Sequence, residues 1–223
     1  MVGLLSLLQM PVRAAAAPRT VEDVLSHYSD KVEARLQPRF QFADVDWPPR
    51  RVALVAFKDT RLMELWAMND GPWQHIKDYR VKAMSGRSGP KLREGDRQVP
   101  EGEYRIELLN PNSAYHLSLK LDYPNAYDRR QAELDGRGNL GGDIFIHGGQ
   151  VSTGCLAMGN SAAEELFVLT ALIGEQNVSV LITPRDYRFR PHPSATEYVP
   201  PWVGELHDRI AQRLQLFPLA EKL

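Results

Sequence analysis

From residue 51 onward the sequence consists of short apolar runs separated by turn-rich segments, and this pattern limits the chain to a fold built around a β-sheet. Residues 52–57 and 62–68 flank the turn-like sequence KDTR, which predicts a hairpin. The same pattern predicts five further strands, at residues 73–84, 104–109, 115–121, 143–147 and 178–183. The segments 85–102 and 123–142 are rich in turn residues and are expected to be loops.

Helical periodicity predicts three helices beside these strands. The first begins after the capping residue Thr20, ends before Pro38 and packs on the outside of the domain. The third, at residues 202–216, follows an irregular, proline-rich tail at 184–201. The second covers residues 161–173, with Ser161 as its cap, Glu164 as the capping-box partner and Gly174 as its stop signal. Together with the strands, these helices predict the α+β fold class.

Length and charge narrow the possible functions. With 223 residues, of which 43% are hydrophobic and 25% charged, the chain is long enough for one well-buried core, so we expect a single globular domain. The formal net charge of −1 lacks the basic excess that binding to a phosphate backbone requires, which argues against nucleic acid as a partner. Small molecules, peptides and glycopeptides remain as ligand classes.

The first seventeen residues differ in composition from the rest. The leucine-rich run at residues 2–10 is followed by Arg13 and the alanine tract at 14–17, which resembles the hydrophobic and cleavage regions of a secretory signal. No positively charged segment precedes the run, and a frayed apolar N-terminus is the alternative. We expect export, with residues 1–17 as a signal segment. The run is too short to span a bilayer, and no other segment could, so a transmembrane protein is not expected.

The segment IFIHGGQVSTGCLAMGN at residues 144–160 contains the only cysteine of the chain, Cys155, eight residues after His147. A thiol becomes a nucleophile when it is held near a base, so the pair is a candidate acyl-transfer site. Glycine at Gly154 leaves room for a substrate carbonyl, and the backbone N–H groups from Thr153 to Cys155 are candidate donors to an oxyanion. The alternative is a glycine-rich strand connection with a buried histidine and cysteine.

Three competing sites are weaker. The sequence GRGNLG at residues 136–141 matches a dinucleotide fingerprint, but it leads into a strand rather than a helix. Ser152 lacks the glycine two residues earlier that a hydrolase elbow requires. His147, Cys155 and His116 lack the closely spaced ligand pairs of common zinc sites, so no metal is predicted.

Several motifs together resemble a known family. His147-Gly148, followed by Ser152-Thr153-Gly154-Cys155 and Met158, resembles the HG…SxGC signature of L,D-transpeptidases of the YkuD type, which are bacterial cell-wall enzymes. Sequences that resemble a YafK-like branch of this family occur at residues 85–91, 95–96, 100–104, 110–113 and 121–128. The resemblance implies a mainly β catalytic domain of mixed β-sheets with flanking helices at residues 51–184. A helical extension at 18–50 would precede it, and an extension at 185–223 would pack on it.

The family resemblance also implies a mechanism. Cys155 would attack the peptide bond after the diamino acid of a peptidoglycan stem peptide, expel the terminal D-alanine and pass the acyl group to an amine. His147 would be the general base, Gly148 would orient its imidazole, and Ser152, Thr153 and Gly154 would shape the oxyanion site. Such chemistry needs no cofactor, and its substrate places the protein in the periplasm or cell envelope.

Two questions stay open at this stage. Water instead of an amine would make the protein a hydrolase, either an L,D-carboxypeptidase or an amidase that releases lipoprotein from peptidoglycan, and a non-catalytic wall-binding module is a further alternative. Many family members carry an arginine where this chain has Ala157. A replacement charge is expected from Arg87, Lys91, Arg93 or Arg97, and Tyr123 and Asn125 are the other candidates for substrate binding.

Overall fold

The computed structural model describes residues 17–189 and 200–219. Within these residues the chain forms eight strands: β1 (Arg51–Phe57), β2 (Leu62–Met68), β3 (Gln74–Arg80), β4 (Gly102–Asn110), β5 (Ser118–Leu121), β6 (Phe145–His147), β7 (Leu156–Ala157) and β8 (Val178–Thr183). The helices are α1 (Val21–Phe42), α2 (Ala126–Leu134), α3 (Asn160–Ile173) and α4 (Trp202–Leu214), with a short 3-10 turn at Glu175–Asn177. The predicted signal segment lies outside the described residues except for Ala17, as does most of the proline-rich tail.

The strands are joined in the order β3-β2-β1-β8-β4-β5-β6-β7. The predicted hairpin is confirmed, since β1 and β2 pair antiparallel from Arg51 opposite Met68 to Phe57 opposite Leu62. β8 lies parallel to β1, β4 is antiparallel to β8, and β6 and β7 are parallel to each other. This mixed sheet with helices beside it confirms the predicted α+β class. None of the helices described is long and apolar enough to cross a membrane.

The central strands β1, β2 and β8 are buried on both faces of the sheet. Alternate residues of β1 belong to two separate apolar clusters: Val52, Leu54 and Ala56 pack with α1 and α3, whereas Ala53 and Val55 pack with α4. The amphipathic α4 buries Val203, Leu206, Ile210 and Leu214. The third predicted helix is therefore confirmed, and α1 lies on the outside of the sheet as expected.

Three predictions about helices were wrong. α1 continues through Pro38 to Phe42, because the burial of Leu36 and Phe40 outweighs the hydrogen bond that proline cannot donate. α2 lies in the segment expected to be a loop, and its capping residue Asn125 accepts hydrogen bonds from two backbone N–H groups. In α3, Ser161 is not the cap and Glu164 is not its partner, because both side chains accept hydrogen bonds from Arg35.

A buried ion pair joins the sheet to the long segment that precedes β4. Lys58 Nζ lies 2.9 Å from Glu101 Oε1 and also donates to the carbonyls of Gly89 and Val99. Gly89 N and His207 contact the same carboxylate, at 2.7 and 2.9 Å. Burial by itself raises the pKa of Glu101, but the charge of Lys58 and the hydrogen bonds outweigh it and hold this pKa below 4.5. The carboxylate therefore holds three parts of the chain together.

This pair predicts a large stability effect. Lys58→Met is expected to lower the free energy of unfolding by about 3–5 kcal/mol, because it leaves the Glu101 carboxylate buried without its cation. The double variant Lys58→Met/Glu101→Leu is expected to have a free energy of unfolding closer to that of the wild type. Urea unfolding followed by tryptophan fluorescence measures both. Arg50→Ala, which breaks the exposed pair with Asp70, is the control and is expected to change stability by less than about 1 kcal/mol. A single Lys58 variant as stable as this control contradicts the prediction.

Candidate active site

The pairing of β6 with β7 brings the two candidate catalytic residues together. His147 is the last residue of β6 and lies opposite Ala157, while Cys155 immediately precedes β7. The connection between the strands starts at Gly148, where a Cβ atom would lie 2.5 Å from the carbonyl oxygen of Tyr115 and 2.9 Å from Asn160 Oδ1. Any side chain at this position would collide with backbone, so the sequence needs glycine here for steric reasons.

Cys155 and His147 line one cleft of about 380 Å³. The described residues that line it are Asn110, Ser113, Ala114, Tyr115, Ser118, Phe145, His147, Val151, Ser152, Thr153 and Cys155. No Asp, Glu, Lys or Arg among the described residues lines it. The described lining therefore places no counter-ion in contact with a ligand, while the charges of Asp143 and Lys91 act on Cys155 from outside the lining.

The imidazole of His147 is buried and held by its own neighbour. Nδ1 lies 2.6 Å from the carbonyl oxygen of Gly148, which can only accept, so Nδ1 carries the proton and Nε2 is the basic nitrogen. Burial lowers the pKa of His147 below 6.5, and this hydrogen bond opposes the shift only in part. At neutral pH the ring is therefore uncharged and able to accept a proton.

The thiol of Cys155 is held by backbone groups. Sγ accepts a hydrogen bond from Phe145 N at 3.4 Å and donates to the carbonyl of Asp143 at 3.6 Å. Burial raises the pKa of Cys155 above 9.0. In the described part of the chain no hydrogen bond joins Sγ to the imidazole. The two groups are therefore a neutral thiol and a neutral base that share a cleft, rather than a preformed thiolate and imidazolium.

Two serine hydroxyls hold the turn before the thiol. Ser152 Oγ accepts from Cys155 N at 3.1 Å and donates to the carbonyl of the same residue at 2.7 Å. Gly154 N donates to Ser85 Oγ at 2.6 Å, and that hydroxyl donates to the carbonyl of Arg97. Two of the three backbone N–H groups that the sequence offered as oxyanion donors, those of Gly154 and Cys155, thus have hydroxyl partners in this structure. Sequence reasoning did not identify Ser85, although it opens one of the segments that resemble the family.

None of the six candidates for substrate binding lines this cleft, which holds for Arg87, Lys91, Arg93, Arg97, Tyr123 and Asn125. The ammonium group of Lys91 is ion-paired with Asp96 at 2.7 Å and donates to a backbone carbonyl, and its charge lowers the pKa of Cys155 by less than burial raises it. Tyr123 is buried, and Asn125 is occupied as the cap of α2. Arg87 is exposed on the segment held by Ser85.

Ala157 is fully buried in β7, where its carbonyl accepts hydrogen bonds from the backbone of Lys82 and Ala83. The alanine is thus enclosed between two backbone segments. Within residues 17–189 and 200–219, no group of three or more His, Cys, Asp or Glu side chains is arranged to hold a metal ion.

Comparison with known proteins gives one family. The family model described as "L,D-transpeptidase catalytic domain", YkuD, matches residues 50–180, more than half of the chain. The chain is 37% identical over 138 residues to "Putative L,D-transpeptidase YafK" of Escherichia coli strain K12, and equally to that of Escherichia coli O157:H7. The aligned part covers 60% of this chain and 54% of each relative, so the chain spans about half the length of the curated relatives it matches.

Solved structures are more distant. The helical cell shape determining protein Pgp2 from Campylobacter jejuni is 23% identical, with a TM-score of 0.49, and the match covers 61% of this chain and 48% of that one. Bd1075 from Bdellovibrio bacteriovorus is 22% identical, with a TM-score of 0.44, and the match covers 75% of this chain and 55% of that one. Similarity at this level carries no conclusion about the site.

The protonation state of Cys155 gives a prediction that needs no substrate. Its rate of alkylation by iodoacetamide is expected to rise with pH to a midpoint above 9.0, because burial disfavours the thiolate. Since the chain has a single cysteine, mass spectrometry of the intact protein reads this site alone. The urea-unfolded protein is the control, and its alkylation midpoint is expected at the ordinary pKa of a cysteine thiol. A folded-state midpoint at or below that of the unfolded chain contradicts the prediction.

Proposed function

The chain belongs to the YkuD family of L,D-transpeptidase catalytic domains, which relates it to peptidoglycan, and on this premise we propose that it is a cysteine acyl transferase of the bacterial cell envelope. Its substrate would be a peptidoglycan stem peptide, and its acyl-enzyme would form on Cys155. The observation that carries the proposal is the shared cleft in which the thiol lies with a neutral imidazole of defined tautomer. No cofactor is needed, because nucleophile, base and oxyanion donors suffice for acyl transfer from an amide.

The proposed reaction has two halves. Nε2 of His147 accepts the thiol proton of Cys155 as Sγ forms a bond to the amide carbon, and the carbonyl oxygen becomes an oxyanion. The carbon–nitrogen bond then breaks as the imidazolium returns that proton to the leaving amine, which leaves a thioester. In the second half an amine or water loses a proton to His147 and attacks the thioester. Sγ leaves as a thiolate and recovers the proton.

The turn residues have supporting roles in this proposal. Gly148 orients the base through its carbonyl, and Ser152 and Thr153 lie at the wall of the cleft beside the thiol. The oxyanion would take the N–H of Cys155 from the Ser152 hydroxyl, which keeps its own bond to the Cys155 carbonyl. Gly154, held by Ser85, keeps the turn in place.

The uncharged cleft favours a second candidate, which is hydrolysis of an amide whose leaving amine carries no adjacent charge. Because His147 must protonate the leaving amine, the leaving group lies in the cleft that His147 lines. D-Alanine would bring a carboxylate into a cleft whose described lining holds no counter-ion, which costs desolvation energy. The side chain of a lysine would bring only methylene groups. This chemistry corresponds to an amidase that releases lipoprotein from peptidoglycan, with water as the acyl acceptor.

The proposed domain organisation follows the contacts. Residues 51–184 form the catalytic domain, since they contain the sheet and both candidate catalytic residues. Residues 18–50 form a helical extension, and its helix α1 packs against α3. Residues 185–223 form a C-terminal extension, and its described helix α4 packs on the other face of the sheet. Export to the periplasm, directed by residues 1–17, would bring the enzyme to its substrate.

The first test separates the candidate functions. The protein and its Cys155→Ala and His147→Gln variants are incubated with two stem-peptide substrates, one with terminal D-alanine and one whose scissile amide is made with a lysine side-chain amine. Both are run with and without an added amine acceptor, and products are followed by mass spectrometry. Both variants are expected to lose at least about 10³-fold in kcat/KM.

The product pattern then decides between the candidates. Acyl transfer to the added amine supports the transpeptidase, and faster release of the lysine amine without acceptor supports the amidase. Peptide binding without turnover by the unmodified protein would identify a wall-binding module and overturn both. A Cys155→Ala variant as active as the parent would remove the thiol from the mechanism.

The pH dependence follows from the neutral imidazole. A protonated His147 cannot accept the thiol proton, so kcat/KM is lost on the acid side as the imidazole becomes charged. Because burial lowers the pKa of His147, the midpoint of this acid limb is expected below 6.5, and activity is retained from pH 6.5 to neutrality. Rates measured from pH 4 to 8 at substrate concentrations below KM give the midpoint. A limb centred well above 6.5 contradicts the assignment of His147.

A further inference from the structure

The ring of Tyr115 lies against the imidazole of His147. Their centroids are 4.7 Å apart and their planes are inclined by 33°. The tyrosine is 47% exposed and lines the cleft, whereas the histidine is only 3% exposed. The tyrosine ring is therefore one of the groups that separate the imidazole from solvent, although neither sequence motifs nor the proposed mechanism assign it a role.

We propose that Tyr115 is a positioning residue that holds the imidazole of His147 in its proton-accepting orientation, and that Arg19 clamps the loop that carries Tyr115. The proposal rests on the proposed function, in which His147 is the base. The backbone of His147 is already fixed by its strand partners Ser118 and Ala157. The hydrogen bond from Nδ1 to the Gly148 carbonyl still permits the ring to rock about that bond. A stacked ring on one face opposes this motion.

The loop at residues 111–116 that carries Tyr115 is tied to the start of α1. Arg19 N donates to Asn112 Oδ1 at 2.9 Å, and Asn112 Nδ2 donates to the Arg19 carbonyl at 2.8 Å. The guanidinium group of Arg19 donates to the carbonyl of His116 at 3.1 Å and also to that of Pro111. These contacts cross more than ninety residues of sequence. Arg19 thus clamps the loop from both sides of Tyr115.

The other side of the loop packs on α3 and on the residue that orients the base. His116 Nε2 lies 3.1 Å from Glu164 Oε1, and its ring meets that of Tyr28 edge to face. The carbonyl oxygen of Tyr115 occupies the space where Gly148 would carry a Cβ atom. A displaced loop would therefore loosen the contact with the ring of His147 and the packing against Gly148 together.

The experiment measures the base directly. In ¹³C-histidine NMR without substrate, the His147 signal is assigned from its absence in His147→Gln and titrated in the wild type, Tyr115→Phe, Tyr115→Leu and Tyr115→Ala. The titratable groups that face the imidazole from the cleft are Cys155 and Tyr115, and His116 and Glu164 lie on the loop and on α3 behind it. Thermal unfolding of each variant identifies any that fails to fold, in which case the leucine variant replaces the alanine variant.

The expected results follow from burial. Tyr115→Ala admits water to the imidazole, so the His147 midpoint rises toward 6.5 and the acid limb of kcat/KM moves up with it. At neutral pH kcat is expected to fall about 2- to 10-fold. Tyr115→Phe keeps the ring and is expected to match the wild type. Arg19→Ala is expected to shift the His147 midpoint and kcat in the same direction as Tyr115→Ala does, but by a smaller amount.

Matched controls and contrary results complete the test. Phe42→Ala removes an aromatic ring that is 93% exposed and far from the cleft in sequence, and Arg130→Ala removes a surface arginine of α2; neither is expected to move the titration. An unchanged His147 midpoint and acid limb in Tyr115→Ala would overturn the proposal, as would a phenylalanine variant that behaves like alanine. A shifted midpoint in a protein that turns over no peptidoglycan substrate would support the contact and refute the proposed function.

Discussion

The parallel pairing of β6 with β7 is the constraint on which the candidate site depends. Parallel neighbours usually need a crossover of a dozen or more residues, but here the eight residues 148–155 make the connection. The strands are only three and two residues long, and Gly149 and Gly154 take positive φ angles that other residues disfavour. Because the two strands are so short, the end of β6 and the start of β7 lie close together although the strands are parallel. The histidine at one end and the cysteine at the other consequently reach the same cleft.

This connection is supported from outside by parts of the chain that are distant in sequence. The Ser85 hydroxyl holds Gly154 N and belongs to the segment that continues to Glu101, where the buried ion pair with Lys58 attaches it to the sheet. On the opposite side, the loop that carries Tyr115 packs against Gly148 and is tied to the start of α1. The fold thus holds both ends of the connection. The segment that holds Gly154 through Ser85 is the one that the buried Lys58–Glu101 pair attaches to the sheet. Stability and site geometry are consequently linked through shared contacts.

Burial favours the neutral form of both candidate catalytic residues in the cleft. Burial raises the pKa of Cys155 and lowers that of His147, so each is displaced toward its neutral form. No charged side chain belongs to the described lining; outside it, the charge of Asp143 adds to the upward shift in the pKa of Cys155, and that of Lys91 opposes the shift without reversing it. A neutral pair in an uncharged cleft suits general-base activation of the thiol, in which charge develops only as the reaction proceeds. It also suits a leaving amine without an adjacent charge, which is the reason that the cleft favours the amidase as the second candidate function.

The sequence by itself determined the α+β class, the β1–β2 hairpin, the limits of β8 and the family motif that contains His147 and Cys155, because these depend on local periodicity, turn residues and residue chemistry. Local rules failed where long-range burial decided: α1 passes Pro38 because Phe40 is in the core, and Ser161 gives up its capping role because Arg35 reaches it from α1. Only the tertiary structure brought Ser85 and Tyr115 to the site, occupied Lys91 with Asp96 and left the cleft without charge. Each of these facts depends on contacts between segments far apart in the chain, and spacing within a motif carries no information about them.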